Sequence, residues 1–344
     1  MKKLLLLLIS IFGFTVNAQS LLVEDCSSLT VGDVGTDLTG ATLGQGVWRI
    51  FAPTGTPLSH MAVVDMGGAY GNAFQLTGPA TNTGTRYIYN ETIADTWTSR
   101  EVGNEIAEVT YDFFTGPVST SKNTQRIVFF NPTGGLIGGI SVQMDSKEVR
   151  GLARYDNAGT IQNIAFGLGA TAATPILLSP NTWYKLGFSF NKTTGEIKWK
   201  EGNGLFNVSK IGVSAGLNVD NLSILATGIL FTGETNTISS VGVFDNITAT
   251  ATATDTLLAI DSVEVSASNF EAYPNPATNV VNISSKNNGI NSVVMTDVNG
   301  RTVKNVNIAG TNEAQINISD LATGVYMMKI SSNEGTTTKK IIKE

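Results

Sequence analysis

The sequence predicts an all-β protein built as two successive sandwiches, a large one and then a small one. Three observations predict it. Apolar and polar residues alternate with period two in stretch after stretch, as half-buried strands require. Thirty-six glycines in 344 residues, with abundant Thr, Asn and Ser, supply tight turns between short strands. No long amphipathic helix stands out. With 42% hydrophobic and 15% charged residues and only nine prolines, the composition fits packed cores and not a disordered polymer.

The N-terminus reads as a signal peptide over residues 1–18. Met1-Lys2-Lys3 is a basic n-region, residues 4–14 an apolar h-region, and Val16-Asn17-Ala18 a small-residue cleavage site, leaving Gln19 as the first mature residue. The apolar run is shorter than the roughly 20 residues that span a bilayer, so no transmembrane segment is expected in the mature chain. Cys26 lies eight residues past the cut behind Val23-Glu24-Asp25, a context unlike a lipobox. As the single cysteine it has no internal disulfide partner and reads as a small buried hydrophobe, with pairing to another chain as the alternative.

Residues 19–250 form the large module. In Glu105–Phe114, Ala107, Val109, Tyr111 and Phe113 share one face while Glu108, Thr110 and Asp112 share the other. Trp183–Phe190 repeats the pattern with Tyr184, Leu186, Phe188 and Phe190, and Asn191 to Gly195 turns the chain into Glu196–Trp199. Arg126–Phe130, Gly139–Met144 and Ser239–Ala249 are further strands. This much strand pattern exceeds one immunoglobulin-sized unit of about 100 residues. With Asn181–Phe190 in the middle and Val243–Ala249 at the end, the module resembles concanavalin/laminin-G-like jelly rolls, which implies a large jelly-roll-like β-sandwich. Such folds host lectins, carbohydrate-binding modules, adhesion domains and glycoside hydrolases, so the fold alone settles no activity.

Residues 251–269 read as a linker, opening on the small-residue run Thr250-Ala-Thr-Ala-Thr254. Asp255-Thr256-Leu257 and Asp261-Ser262-Val263 resemble the Asp-Ser/Thr-apolar acceptor of O-glycosylation in Bacteroidetes, which would mark Thr256 and Ser262; an ordinary solvated linker is the alternative.

Residues 270–344 carry strand candidates at Val280–Ile283, Ser292–Asp297, Thr302–Ile308, Gln315–Ile318, Gly324–Ile330 and Thr336–Ile342, with Asn299-Gly300 as a two-residue hairpin turn. They read as a small seven-stranded, immunoglobulin-like β-sandwich. Four ordered motifs stand out: Glu271 to Asn279 with Tyr273-Pro274-Asn275-Pro276, Asp297 to Val303 with Gly300 and Arg301, Leu321 to Ile330 with Gly324 and Tyr326, and Thr338 to Glu344 with Lys339, Lys340 and Lys343. Together they resemble the type A C-terminal sorting domain of type IX secretion substrates of Bacteroidetes-type bacteria. The resemblance implies that the folded unit is read by the type IX translocon and then cut near 269–271 by the sortase. It implies delivery through the periplasm and outer membrane to the cell surface or the medium. The basic C-terminal end also reads simply as a solvated edge strand.

Charge narrows the partners. Residues 19–269 carry 13 Lys/Arg against 22 Asp/Glu, a net of −9, whereas the tail is nearly neutral with seven against six. An acidic module is a poor match for nucleic acid, which needs a basic footprint; it suits extracellular solubility and calcium.

Candidate chemistry is sparse. In Val241–Ala249, Asp245 falls in phase with Val241, Val243, Ile247 and Ala249, so it points inward and needs compensation. Glu24 and Asp25 are positioned to share a structural calcium with it, as in related carbohydrate-binding jelly rolls; backbone N–H groups are the alternative. Glu105 and Glu108 are superficially similar to the acidic strand of laminarinase-like hydrolases, but Ala107 and Thr110 replace two of its acids, and Glu105 and Glu108 fall on opposite faces. His60 is the only histidine, with no nucleophile elbow. The Gly134-Gly135 and Gly138-Gly139 pairs lack a following helix or Lys and read as a flexible turn.

Carbohydrate recognition needs aromatic planes beside amides and carboxylates. Tyr87, Tyr89, Asn90, Asp95 and Trp97 are the best cluster; packing of Tyr87 and Tyr89 in the core is the alternative. Trp48, Trp183 and Trp199 read as core. The sequence therefore supports a non-catalytic glycan-binding or adhesion module, with a divergent jelly-roll polysaccharide hydrolase or lyase as the alternative.

Overall fold

A computed structural model describes residues 18–171, 174–258, 270–285, 289–297, 301–332 and 335–344. The chain divides into two compact units, Met1–Leu258 and Ala259–Glu344.

The first unit opens with β1 (Gln19–Glu24), β2 (Gly32–Asp33), β3 (Arg49–Phe51), β4 (Met61–Asp65), β5 (Asn72–Thr77) and β6 (Arg86–Asn90). A short helix, α1 (Thr92–Thr98), leads to β7 (Ile106–Phe114), β8 (Thr124–Phe130), β9 (Leu136–Gln143), β10 (Val149–Asn157) and β11 (Thr160–Gly167). Then follow β12 (Trp183–Asn191), β13 (Glu196–Glu201), β14 (Asn207–Ile211), β15 (Asn221–Thr227) and β16 (Val241–Thr252). One sheet of the described residues runs β14-β13-β12-β7-β16-β5-β4-β2, with β1 also on β16; the other runs β11-β10-β9-β8-β15-β6-β3. The strand pairings of this unit are antiparallel, and several, such as β7–β12, β8–β15 and β7–β16, link strands distant in sequence, as in a jelly-roll-like sandwich.

The core lies between the sheets and is built from the predicted alternation. Ala107, Val109, Tyr111 and Phe113 of β7 face Leu186, Phe188 and Phe190 of β12, all buried. Gly195 takes φ +75° in the expected β12–β13 hairpin, and Asn191 Oδ1 accepts from the backbone N–H of Thr193 and Thr194. Trp199 is fully buried, donates from Nε1 to Gly139 O at 2.7 Å, and lies over Gly151, where a Cβ would come within 2.4 Å of the indole. Helix α1 was not legible as a strand-like run because its apolar pair, Ile93 and Trp97, has helical i, i+4 spacing; both are fully buried.

Two sequence expectations change. Asp245 does not share the inward face. Residue Asn246 adopts φ +48° at a bulge in β16, so Asp245 pairs with Asp112 on the outer face while Phe244, Ile247 and Ala249 point to the core. Strand β1 pairs with β16 beyond this bulge and β5 before it, which is where the edge partner of β16 changes. Residues 251–258, expected as linker, belong to the first unit. Strand β16 continues to Thr252, and residues 253–258 fold back as a strap over the outer face of the nine-stranded sheet. Glu108 accepts from Thr252 Oγ1, Thr256 N and Thr256 Oγ1, and Lys198 pairs with Asp255. Lys200 donates to the carbonyls of Leu257 and Leu258, and Leu257 lies against Gly187, whose missing side chain leaves the room.

The second unit, by itself, is the expected seven-stranded arrangement. It comprises β17 (Phe270–Tyr273), β18 (Val280–Ser285), β19 (Ile290–Asp297), β20 (Thr302–Thr311), β21 (Glu313–Asn317), β22 (Gly324–Ser332) and β23 (Gly335–Lys343). They form sheets β17-β18-β21 and β20-β19-β22-β23 around Phe270, Val281, Val293, Met295, Ile316, Met328 and Ile330.

Candidate functional site

The outer face of the seven-stranded sheet carries the site. Residues directly opposite in antiparallel strands share a face, so the register defines two rows across it. One runs Phe51, Tyr87, Leu225, Arg126, Ser141, Arg150; the next runs Arg49, Tyr89, Ser223, Val128, Gly139, Leu152. Ile88, between the tyrosines, points the other way and is fully buried in the core. Tyr87 and Tyr89 are therefore neither core residues nor part of the cluster the sequence suggested. They stand half-exposed on the outer face.

Two contiguous cavities of ≈ 290 Å³ each lie on this face and share Tyr87 and Phe130. The first is lined by Phe51, both tyrosines and Phe130, with Asn221, Ser223 and the Gly134 turn at its edge. Phe51 meets Tyr87 edge-on at 5.9 Å. Tyr89 fits because position 40 is glycine: a Cβ there would come within 2.1 Å of the tyrosine oxygen, and Gly40 holds φ +78°. The second cavity has an apolar floor of Val128, Leu136, Leu152 and Leu225, and Arg126 lies beside it. Burial raises the pKa of both tyrosine hydroxyls, keeping them protonated; the charge of Arg126 opposes this at Tyr87 and that of Glu91 adds to it at Tyr89.

The remaining members of the predicted cluster lie elsewhere. Asn90 is fully buried and accepts from Thr92 Oγ1 at 2.8 Å, Trp97 is fully buried under α1, and Asp95 is exposed on that helix. Phe51, Phe130, Asn221 and Ser223 take their places beside the tyrosines. Phe129-Phe130 was a usable signal, since period two must put one ring inside and one outside. Asn221 and Ser223 needed the β15–β8 and β15–β6 pairings, which the local sequence does not encode.

Other candidates resolve as structure. Glu24 accepts from Cys26 N and Trp48 Nε1, both at 2.8 Å, and Asp25 is exposed and accepts from Ser27 N. Asp245 is 1% exposed, with Oδ1 unpartnered and Oδ2 accepting from Asn246 Nδ2. Burial pushes its carboxyl up to about 6, with Asp112, Asp25 and Glu24 adding to the rise against the Asn246 N–H. The three predicted calcium ligands thus feel one another, each oxygen of Glu24 already accepts one N–H, and no trio of His, Cys, Asp or Glu is arranged for a metal among the described residues.

Glu105 pairs with Arg100 at 2.6 Å, and Glu108 holds the strap, so neither carboxylate is free for hydrolysis. His60 closes a 3-10 turn, and burial together with Arg86 lowers its basicity. Gly134-Gly135 is a turn, pinned by Asn131, whereas Gly138 and Gly139 lie within β9, where Ile197 and Val128 leave no room for side chains. Trp48 and Trp199 are core; Trp183 is not, and stacks on Tyr70 at 3.8 Å on the other sheet's outer face. Cys26 is fully buried. Thr256 has its hydroxyl donated to Glu108, and Ser262 lies outside the described residues.

In the tail, Asn275 bridges to β23, donating to Lys340 O and accepting from Ile342 N, both at 2.8 Å. Asp297 accepts from Arg301 N and Nε and so closes the β19–β20 turn; Gly300 lies outside the described residues. Tyr326 is buried and donates to Ala322 O at 2.8 Å, just before Gly324 opens β22. Lys343 is buried at the end of β23 and Lys340 is exposed, while Tyr273 is half-exposed beside Pro274 and Pro276. The motifs the sequence singled out therefore staple strands together. Residues 271–344 match the secretion system C-terminal sorting domain. This tail is a type IX sorting domain. The sorting domain indicates export across the outer membrane, to the cell surface or the medium, and implies the type IX machinery as a partner. No described helix is long and apolar enough to cross a membrane.

No curated protein matches the chain. Among solved structures, a cellulose induced protein is similar over 68% of this chain and 97% of its own, at 12% identity and a TM-score of 0.42. The binding domain of botulinum neurotoxin serotype C1 is similar over 92% of this chain and 72% of its own, at 12% identity and a TM-score of 0.43. A sialidase is similar over 64% of this chain but 18% of its own length, at 11% identity and a TM-score of 0.39. No residue role is transferred from any of them.

Proposed function

We propose that residues 19–258 are a non-catalytic glycan-binding or adhesion module that the sorting domain delivers to the outside of the cell. The observation that supports it is the groove on the seven-stranded sheet: Phe51, Tyr87, Tyr89 and Phe130 present half-exposed rings, with Asn221 and Ser223 beside them. Aromatic faces stack on the C–H faces of sugars while amides and hydroxyls fix their hydroxyl groups. Both cavities are lined without a carboxylate, whereas glycoside hydrolysis generally uses two flanking the scissile bond. The test is a glycan array run beside a reducing-end assay on the mature protein. Binding without turnover is the expected result. Turnover of any polysaccharide would establish the hydrolase or lyase instead, and silence in both assays would leave a structural surface protein.

A further inference from the structure

The groove has two chemically different ends. The Phe51–Tyr89 end is neutral and aromatic. At the other end lies Arg126, whose Nε donates to Thr124 Oγ1 at 2.8 Å and whose guanidinium lines the cavity. No carboxylate among the described residues lies within ion-pair distance of it. The contrast with Arg150, two places along the same row, is instructive. Arg150 pairs with Glu148 at 2.8 Å and rests over the Phe231 ring at 4.9 Å. Glu234, the other acid of this region, is also committed: it accepts from Gln143 Nε2 and from the backbone N–H groups of Leu230 and Phe231.

Between the two arginines stands Ser141, 1% exposed, with its hydroxyl unpartnered. A half-buried guanidinium whose one hydrogen bond is to Thr124, and a buried hydroxyl with no partner, both gain from an acceptor that arrives. Burial lowers the Arg126 guanidinium to about 10, and only the neighbouring Tyr87 works against that. The surrounding module is acidic, so this cation is a local exception to the charge of its own surface.

We propose that Arg126, with Ser141 beside it, receives an anionic oxygen group, a carboxylate or sulfate ester, of an acidic polysaccharide whose sugar rings stack on Tyr87 and Phe130. This inference rests on the glycan-binding reading and names the ligand class. Guanidinium is suited to it, since it stays charged and offers a planar fork that matches carboxylate and sulfate oxygens. A neutral ring would satisfy the aromatic end and leave Arg126 desolvated and unpaired, which provides discrimination against neutral glycans.

Calorimetric titration of the mature protein with trigalacturonate, its methyl ester and a sulfated galactan trisaccharide tests it, alongside Arg126→Gln and Arg126→Lys. At least one acidic probe should bind on the order of tenfold or more tighter than the neutral ester. Arg126→Gln should erase that preference without lowering the melting temperature, and Arg126→Lys should keep part of it. Should Arg126→Gln fail to fold, Arg126→Lys and the ester comparison on the unmodified protein still decide. If neutral probes bind as tightly as acidic ones, this inference falls while glycan binding stands. If polyglutamate binds more tightly than every saccharide, the ligand is an acidic peptide and the inference is overturned. If neither these saccharides nor any arrayed glycan binds, the glycan reading falls and takes the inference with it.

Discussion

The two outer faces of the large sandwich carry similar residue types and use them in opposite ways. On the nine-stranded face the polar and aromatic groups are largely paired within the chain, Asp245 Oδ1 excepted: Glu108 holds the strap, Lys198 and Lys200 tie it down, and Trp183 stacks on Tyr70. On the seven-stranded face Tyr87, Tyr89, Phe130 and Arg126 line open cavities, Arg126 has no carboxylate partner among the described residues, and the buried Ser141 hydroxyl has no partner. Burial with partners is architecture; burial without them points to a ligand. The difference cannot be told from residue type, because both faces carry aromatic and charged residues that look alike in the sequence.

Removing the open rings should have the largest effect. Tyr87→Ala combined with Tyr89→Ala should weaken glycan affinity by on the order of 100-fold, since central aromatic anchors carry most of such binding energy. Its melting temperature should stay close to that of the unmodified protein, because neither ring belongs to the inter-sheet core. A large melting shift in thermal unfolding would make them structural and blur the contrast between the faces.

Next comes the strap. Glu108→Ala strips the acceptor from Thr252 and Thr256 and leaves the Thr252 hydroxyl buried without one, which should cost about 1–2 kcal/mol. Calorimetry should report that loss while the same sample binds glycan normally. Weakened binding at full stability would mean the nine-stranded face takes part in recognition.

Asp245 gives a smaller effect with a pH signature. Burial lifts its folded-state carboxyl to about 6, above the ordinary carboxylate range, so the native state holds the proton more firmly than the unfolded chain does. Stability from this group is therefore complete below about pH 4, and is lost as pH rises toward and through 6. Asp245→Asn should stabilise the protein by about 1–2 kcal/mol at pH 8 and by nothing at pH 3.5. Denaturant unfolding at the two pH values checks this, and equal effects at both would show that Asp245 is not the group being relieved. Smallest of all, a chelator should move the melting temperature by less than about 1 °C, because Glu24 is held by Cys26 N and Trp48 Nε1 and Asp25 is turned to Ser27. A larger drop would restore a calcium site around Asp245 and Asp112.

Much of the fold was legible. The alternation in β7, β12 and the tail strands survives because long, period-two runs leave one face for the core. The bulge at Asn246 was not, since one extra residue reverses the parity of β16 and sends Asp245 to the other face. Nor was the strap: Thr250-Ala-Thr-Ala-Thr254 has the composition of a linker, and only its reach to Glu108, far away in sequence, makes it structure. The site was half legible. Tyr87 and Tyr89 share a face in any strand, but which face is set by β15 and β3 on either side. Asn90 and Trp97 looked like partners by proximity in sequence, and the turn into α1 buries both.

The central claim is that ligand enters through the face whose donors and rings lack partners. Hydrogen exchange of the mature protein, with and without a saturating glycan from the array, tests it most directly. Added protection should concentrate in β6, β8 and β15 around Tyr87, Arg126 and Ser223, leaving β12, β13 and the strap unchanged. Protection confined to β12, β13 and residues 253–258 would place recognition on the opposite face and contradict the account.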